Sequence, residues 1–295
     1  MPKSDLFRSV GGRRHVEQAY TAVLDSELVG VERRTVATGL GATFVLSAGP
    51  ADAPRVLLLH GSGSTALSWA LELRELADRY RLHAIDLVGE PGRSAPVRPV
   101  LGSDAYAVWL TEVAVALDAR PAVVVGLSLG GWLALDYAIR LPGQVSALVL
   151  ISPSGIGRRA VAPLLVAGLM SVAGERGRRI AMALLLGLRP RQAADLLDGP
   201  AGQLASLTLQ HFRPRVDPIP TFTDEQLVGL SMPVAIMLGE RDRMLDAVGS
   251  AHRARRLLGE HAVALVPSTG HLLPDQTLRI GAALDTVINQ AAGPT

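Results

Sequence analysis

A strand-like run, a glycine-flanked serine and a helix-like run follow one another without a break between Ala122 and Tyr137, and this junction constrains the fold more than any other stretch. Ala122-Val123-Val124-Val125 is apolar and β-branched, as a strand buried on both faces requires. Gly126-Leu127-Ser128-Leu129-Gly130 follows, and then Gly131-Trp132-Leu133-Ala134-Leu135-Asp136-Tyr137 reads as helix. A G-x-S-x-G set between a strand and a helix is a nucleophile elbow, a turn so tight that the serine takes strained backbone angles. A side chain at Gly126 or Gly130 would collide with the neighbouring strand or helix. The turn pushes the Ser128 hydroxyl above the carboxyl edge of the sheet. The Leu129 N–H, at the start of the helix, then points toward any oxyanion formed there.

A serine hydroxyl needs a base, and the base needs an orienting acid. In this turn geometry the partners follow in the order Ser, Asp/Glu, His. Pro233 to Leu238 reads as a buried strand ending in Gly239-Glu240-Arg241-Asp242. Ala262 to Val266 reads as another, ending in Pro267-Ser268-Thr269-Gly270-His271. Both sets fall on the sheet edge that holds the elbow, so Asp242 is the expected acid and His271 the expected base. Glu240 and Asp246 stand close enough to remain alternatives to Asp242. No acid follows the preceding strand, because Val145 to Ile151 leads into Ser152-Pro153-Ser154. His252 and His261 flank a basic helix, His83 lies in a strand-like run and His15 in an N-terminal helix; these read as structural or solvated. His211 falls in the middle of the chain, where it is a candidate pocket residue.

A third element is the strand Val56 to Leu59, which runs into His60-Gly61-Ser62-Gly63. Such a small-residue loop can offer a second oxyanion N–H beside that of Leu129, from Ser62 first and Gly63 next. His60 is expected to hold this loop by hydrogen bonds, or else to border the substrate together with Trp132, Met170 and His211. Asp86 reads as structural, ordering the loop through Gly89 and Gly92.

The succession of His-Gly loop, I-D-L-V-G-E-P-G-R-S (Ile85 to Ser94), G-L-S-L-G-G, L-G-E-R-D and T-G-H resembles the α/β-hydrolase superfamily. More narrowly, G-L-S-L-G-G (Gly126 to Gly131), F-T-D-E-Q-L (Phe222 to Leu227) and L-G-E-R-D (Leu238 to Asp242) resemble the bacterial carboxylesterases of the carboxylesterase NP (naproxen esterase) type. The N-terminal lead-in fits too: a helix, then a strand pair, then Ala51-Asp52-Ala53-Pro54. The resemblance implies ester hydrolysis through an acyl-serine, with Ser128, Asp242 and His271 matching the family triad. Aspartate at the elbow would have suggested epoxide or haloalkane hydrolysis, and the serine argues against both. The same triad would also serve a thioesterase, a lactonase, a carbon–carbon bond hydrolase or an acyl-transferring or cyclising enzyme. A non-catalytic ligand receptor on a hydrolase scaffold is the reading from a different class, which the intact Ser, Asp and His oppose.

The remaining chain agrees. At 295 residues it suits one α/β domain with a mostly parallel sheet covered by helices on both faces. Leu67–Tyr80, Asp104–Leu117, Leu129–Arg140, Ser250–Leu258 and Leu272–Asn289 are the expected covering helices. Residues 13–152 and 222–290 form the expected core, with a helical cap at 153–221 inserted after the strand that follows the elbow. The cap's apolar stretch, Val161 to Val172, holds Met170 and is broken at Pro163 and Gly168, too short to span a bilayer. Nine arginines in the cap face four acids, which solvated surface explains; a preference for acidic substrates through Arg213 and Arg215 is the minor reading. The first dozen residues, with Gly11-Gly12-Arg13-Arg14, read as a loose arm.

No cysteine is present, so disulfides and thiolate sites are excluded, and no metal-ligand spacing occurs. Neither a cofactor nor a metal is expected. The net charge of +2 and the absence of a basic, aromatic-interleaved stripe argue against nucleic acid. Without a signal-peptide core or a membrane-length apolar run, the cytoplasm is the expected compartment, with no stable membrane insertion. The expected partner is a small-molecule ester or related acyl substrate, and a homodimer stays open.

Overall fold

The computed structural model describes residues 6–157 and 199–293, together with Gly174, Gly177, Ile180, Ala183 and Gly187. Among the described residues eight strands form one sheet in the order β1-β2-β4-β3-β5-β6-β7-β8. These are β1 Glu32–Thr38, β2 Gly41–Ala48, β3 Arg55–Leu59, β4 Arg81–Ile85, β5 Ala122–Leu127, β6 Val145–Ile151, β7 Val234–Gly239 and β8 Val263–Val266. The β1–β2 and β2–β4 pairs are antiparallel and all the others parallel. The parallel strands therefore end on one edge. β3 and β5 show why they sit centrally: after Arg55, every side chain of both is buried, as a strand covered on two faces demands.

Alternation along these strands divides the core in two. Val56, Leu58, Val123 and Val125 pack with α1 (Val10–Glu27), α2 (Ala70–Glu75) and the C-terminal helix Gln276–Ala292. Leu57, Leu59 and Val124 face α3 (Ala105–Ala116) and α4 (Leu129–Arg140) on the other side. Each fully buried Leu or Val contributes about 1.5–3 kcal/mol, so these two layers hold the edge rigid.

Three expectations at element ends are corrected. From Leu6 onward the N-terminal segment is no loose arm: α1 begins at Val10, with Ser9 capping the Gly12 N–H, and Leu6 is buried. The segment ahead of it pairs with α5 (Gly199–His211) and its exit, through Arg8 N–H to His211 O at 2.8 Å, Arg213 N–H to Leu6 O at 2.8 Å and an edge-on Phe7–Phe212 contact. The helix expected from Leu272 starts only at Gln276, because Pro274 disfavours helix at the residue before it and Asp275 is left-handed. The helix expected over Leu67–Tyr80 is a short 3-10 turn at Ala66–Trp69 followed by α2. Further helices among the described residues are α6 (Asp224–Val228), α7 (Ala247–Leu258) and α8, the C-terminal helix Gln276–Ala292.

Most of the segment expected as the cap lies outside the described residues, including Val161 to Val172. Its two ends meet: Phe222 N–H donates to Gly155 O at 2.9 Å, and Trp132 Nε1–H donates to Pro220 O at 2.8 Å. Gly187 lies against the loop after β8, where a Cβ would come within 2.6 Å of Gly270 Cα.

Candidate active site

β5 delivers Ser128 into a turn with φ 54° and ψ −108°, a region forbidden to residues with a Cβ unless the surroundings enforce it. They do so by hydrogen bonds on both sides. Ser128 N–H donates to Ile151 O at 3.0 Å, and Ser128 O accepts from Trp132 N–H and Ser154 N–H at 3.1 Å each. The flanking glycines allow the close approach. A Cβ at Gly130 would fall inside the Leu59 carbonyl, and one at Gly126 inside that of Gly130.

Two strands away, β7 ends at Gly239 and turns through Asp242, whose N–H returns to Gly239 O at 3.0 Å. This turn is tied to the loop after β8 by Glu240 N–H to Val266 O at 3.0 Å and Arg241 N–H to Thr269 O at 2.7 Å. His271 Nδ1 consequently lies 2.6 Å from Asp242 Oδ2, with both side chains enclosed. The other carboxylate oxygen accepts from Met244 N–H at 2.7 Å and Leu245 N–H at 3.2 Å. Three donors thus hold the carboxylate in one orientation. The rival acids are spent elsewhere: Glu240 accepts from Ser268 N–H at 2.9 Å, and Asp246 caps α7 through Gly249 N–H at 2.9 Å.

The turn after β6 joins the two halves. Ser154 N–H reaches Ser128 O, while Ser152 Oγ donates to His271 O at 2.9 Å. Ser128, Asp242 and His271 are thereby gathered on the carboxyl edge of β5, β7 and β8.

The loop after β3 runs against the elbow, since a Cβ on Gly61 would stand 3.5 Å from Ser128 Cβ. Leu87 N–H donates to His60 Nε2 at 3.0 Å, so Nδ1 carries the ring proton and donates to Gly61 O at 2.8 Å. Burial keeps this ring neutral, depressing its pKa to about 4. Gly61 O also accepts from Ser64 N–H at 3.2 Å. The carbonyl is therefore anchored, and the N–H of Ser62 leaves the opposite side of the same trans peptide. Among the described residues the N–H groups of Ser62 and Leu129 take no internal acceptor, whereas Gly63 N–H donates to Glu90 Oε2 at 2.6 Å. Of the two loop donors weighed from the sequence, Gly63 is committed and Ser62 is free to serve.

The pattern of the Alpha/beta hydrolase family matches residues 56–280. The chain belongs to that family. In sequence it is similar to the carboxylesterase YbfK of Bacillus subtilis (strain 168), 28% identical over 272 residues that span 90% of each chain. It is also similar to the uncharacterized carboxylesterase nap of the same organism, 26% identical over 264 residues, 87% of this chain and 86% of that one. The crystal structure of carboxylesterase CesB (YbfK) from Bacillus subtilis superposes with a TM-score of 0.79 at 25% identity, over 95% of this chain and 99% of that one. Naproxen esterase (carboxylesterase NP) from Bacillus subtilis shares the fold, with a TM-score of 0.80 at 22% identity over 96% and 99% of the two chains.

Three residues expected to border substrate in this hydrolase do other work. His60 is wholly buried with both nitrogens bonded, so it shapes the loop and cannot face a ligand. Trp132 is 1% exposed, stacked on Phe222 and bonded to Pro220, so it anchors the segment that leads into α6. His211 lies at the α1–α5 contact, its ring 5.7 Å from that of His15. Met170 lies outside the described residues. Arg215 is no free anion receptor either, because its guanidinium bonds Pro99 O, Tyr106 Oη and Asp217. Asp86 does order its loop, accepting from Tyr20 Oη–H, Ala66 N–H and Arg93 N–H. Sequence reasoning missed Glu90 and Ser152. Glu90 had a signal in its favour, a lone carboxylate in an otherwise apolar and glycine-rich run after Asp86.

Proposed function

We propose that the protein is a serine hydrolase of carboxylic esters of apolar small molecules, acting through an acyl-serine. The observation that carries this reading is the enclosed 2.6 Å His271–Asp242 pair on the same sheet edge as a serine held at φ 54°. Asp242 fixes the Nδ1–H tautomer and so presents Nε2 as a base. His271 removes the Ser128 proton as Oγ attacks the ester carbonyl. The N–H groups of Leu129 and Ser62 receive the oxyanion. His271 then passes the proton to the leaving alcohol, and water repeats both steps on the acyl-enzyme.

Residues 153–221 form the cap in this reading. Its support is the joining of Gly155 to Phe222 and the approach of Gly187 to Gly270. No helix among the described residues is long and apolar enough to cross a membrane. The groups named here all come from one chain, so the reaction does not require a homodimer. Hydrolysis of p-nitrophenyl esters of increasing acyl length, by the wild type and by Ser128→Ala, tests the reading. Turnover that peaks at one acyl length and vanishes in the variant is expected. Equal rates for the two proteins would refute it.

A further inference from the structure

Glu90 is a buried carboxylate that the triad does not use. It is 3% exposed, and its Oε2 accepts from Gly63 N–H at 2.6 Å. Gly63 occupies the third position of the turn Gly61-Ser62-Gly63-Ser64, closed by Ser64 N–H to Gly61 O at 3.2 Å, and its φ is +70°. These are the marks of a type II turn, in which the central peptide is the unit that flips most readily. Here that central peptide joins Ser62 to Gly63. His60 holds the peptide before it, through Gly61 O, and Glu90 holds the central one, through Gly63 N–H. A flipped peptide would turn the Ser62 carbonyl toward the Glu90 carboxylate, which repels it. Ser62 N–H thus leaves a loop gripped from both ends.

We propose that Glu90 is a positioning residue, whose carboxylate clamps the Ser62–Gly63 peptide and keeps Ser62 N–H aimed at the oxyanion. The inference rests on the esterase reading above. A purely structural site would be served more cheaply by a neutral side chain, because enclosing a charge is costly unless it is paired. The charged and titratable groups facing Glu90 are Arg98 from the loop after β4, Arg215 from the segment after α5, and Tyr106 from α3. Burial is the largest influence and lifts the Glu90 pKa to about 7, while Gly63 N–H, Arg98 and Arg215 oppose it. Protonation weakens the clamp, so turnover should fall as pH drops through neutrality. The wild-type acid limb should therefore include a proton that belongs to Glu90.

The test measures kcat and KM on p-nitrophenyl butyrate from about pH 5 to about pH 9 for the wild type, Glu90→Ala and Glu90→Gln. Glu90→Ala should lower kcat by about 10- to 100-fold with KM within about 3-fold, the loss expected from a misaimed oxyanion donor. Glu90→Gln keeps an acceptor oxygen but not the charge, as the protonated carboxyl does, so its kcat should fall between those of the wild type and Glu90→Ala, and its acid limb should lack the Glu90 proton. An active wild type matched in kcat by Glu90→Ala would overturn the inference, as would a raised KM at unchanged kcat. If circular dichroism shows Glu90→Ala unfolded, Glu90→Gln decides alone: an acid limb identical to that of the wild type overturns it. A wild type with no turnover of any ester overturns the esterase reading, and the Glu90 inference with it.

Discussion

Replacing Asp242 by asparagine changes one atom and should disable the site for a reason the hydrogen bonds make explicit. Asp242 Oδ1 accepts from Met244 N–H and Leu245 N–H, and Oδ2 faces His271 Nδ1. An asparagine amide must place its oxygen where the two backbone donors point, because its NH₂ cannot accept from them. The NH₂ then faces Nδ1 and demands a lone pair there, which moves the imidazole proton to Nε2. Ser128 would meet a donor where it needs a base. Loss of the correct tautomer costs about 10⁴ in kcat, or roughly 5.5 kcal/mol of transition-state stabilisation. KM should change little, and a thermal melt should show the fold intact, since shape and most hydrogen bonds survive. Steady-state kinetics on p-nitrophenyl butyrate reads the effect. A folded Asp242→Asn retaining more than about a tenth of wild-type kcat would refute the reasoning.

Further outcomes follow from other contacts. Gly239→Ala would drive a Cβ into the Gly270 and Thr269 carbonyls; a stability loss of about 1–3 kcal/mol and a kcat loss near 10²-fold are expected, read by urea melts and kinetics. Asp246→Asn keeps an N-cap on α7 and should leave kcat within about twofold, which separates it from Asp242. Burial depresses the His83 pKa from 6.5 to about 4, so its contribution to stability is present above 6.5 and lost as pH falls through 4. That contribution is about 3 kcal/mol. His83→Gln should flatten the fall in stability over that window relative to wild type, although Glu90 titrates in the opposite sense in both proteins. Trp132→Phe strands the Pro220 carbonyl and should cost about 1–2 kcal/mol in denaturant melts.

The core strands and the elbow were legible because their signals are local. β6 runs from Val145 to Ile151 as its apolar pattern requires, and glycines at 126 and 130 mark a backbone approach that tolerates no Cβ. Burial of individual side chains was not legible. His60, Trp132 and His211 each combine an apolar body with a polar tip, and only the packing decides which end meets solvent. Gly11-Gly12 misled for a related reason. Glycine in a helix reads as a break, yet here it admits a neighbour: a Cβ on Gly12 would stand 2.6 Å from His211 Nδ1. The acid of the His271 pair was ambiguous because Glu240, Asp242 and Asp246 share one turn region. Backbone hydrogen bonds between the ends of β7 and β8 decide which carboxylate reaches the ring.

Strain is distributed unevenly, and its distribution bears on how the site works. Among the described residues five non-glycine residues have positive φ, and four of them, Ser128, Ser152, Ser268 and Asp275, lie in turns that leave the carboxyl ends of β5, β6 and β8. Each costs of order 1–3 kcal/mol, a large share of the stability of a typical domain, about 5–15 kcal/mol. The three serines are held by hydrogen bonds to neighbouring strands and turns: Ser128 to Ile151 and Ser154, Ser152 to Met237 and His271, Ser268 to Glu240. A residue confined in this way has no nearby alternative conformation, so the groups it carries are pre-aimed before any substrate arrives. The loop after β3 solves the same problem differently. It takes its left-handed residue as Gly63, which is unstrained there and therefore free to leave. What strain and cross-strand bonding do for the serines must be done for this loop by side chains reaching in from outside. Among the described residues His60 and Glu90 are the two that reach it, and on the reading proposed above the aim of Ser62 N–H depends on both.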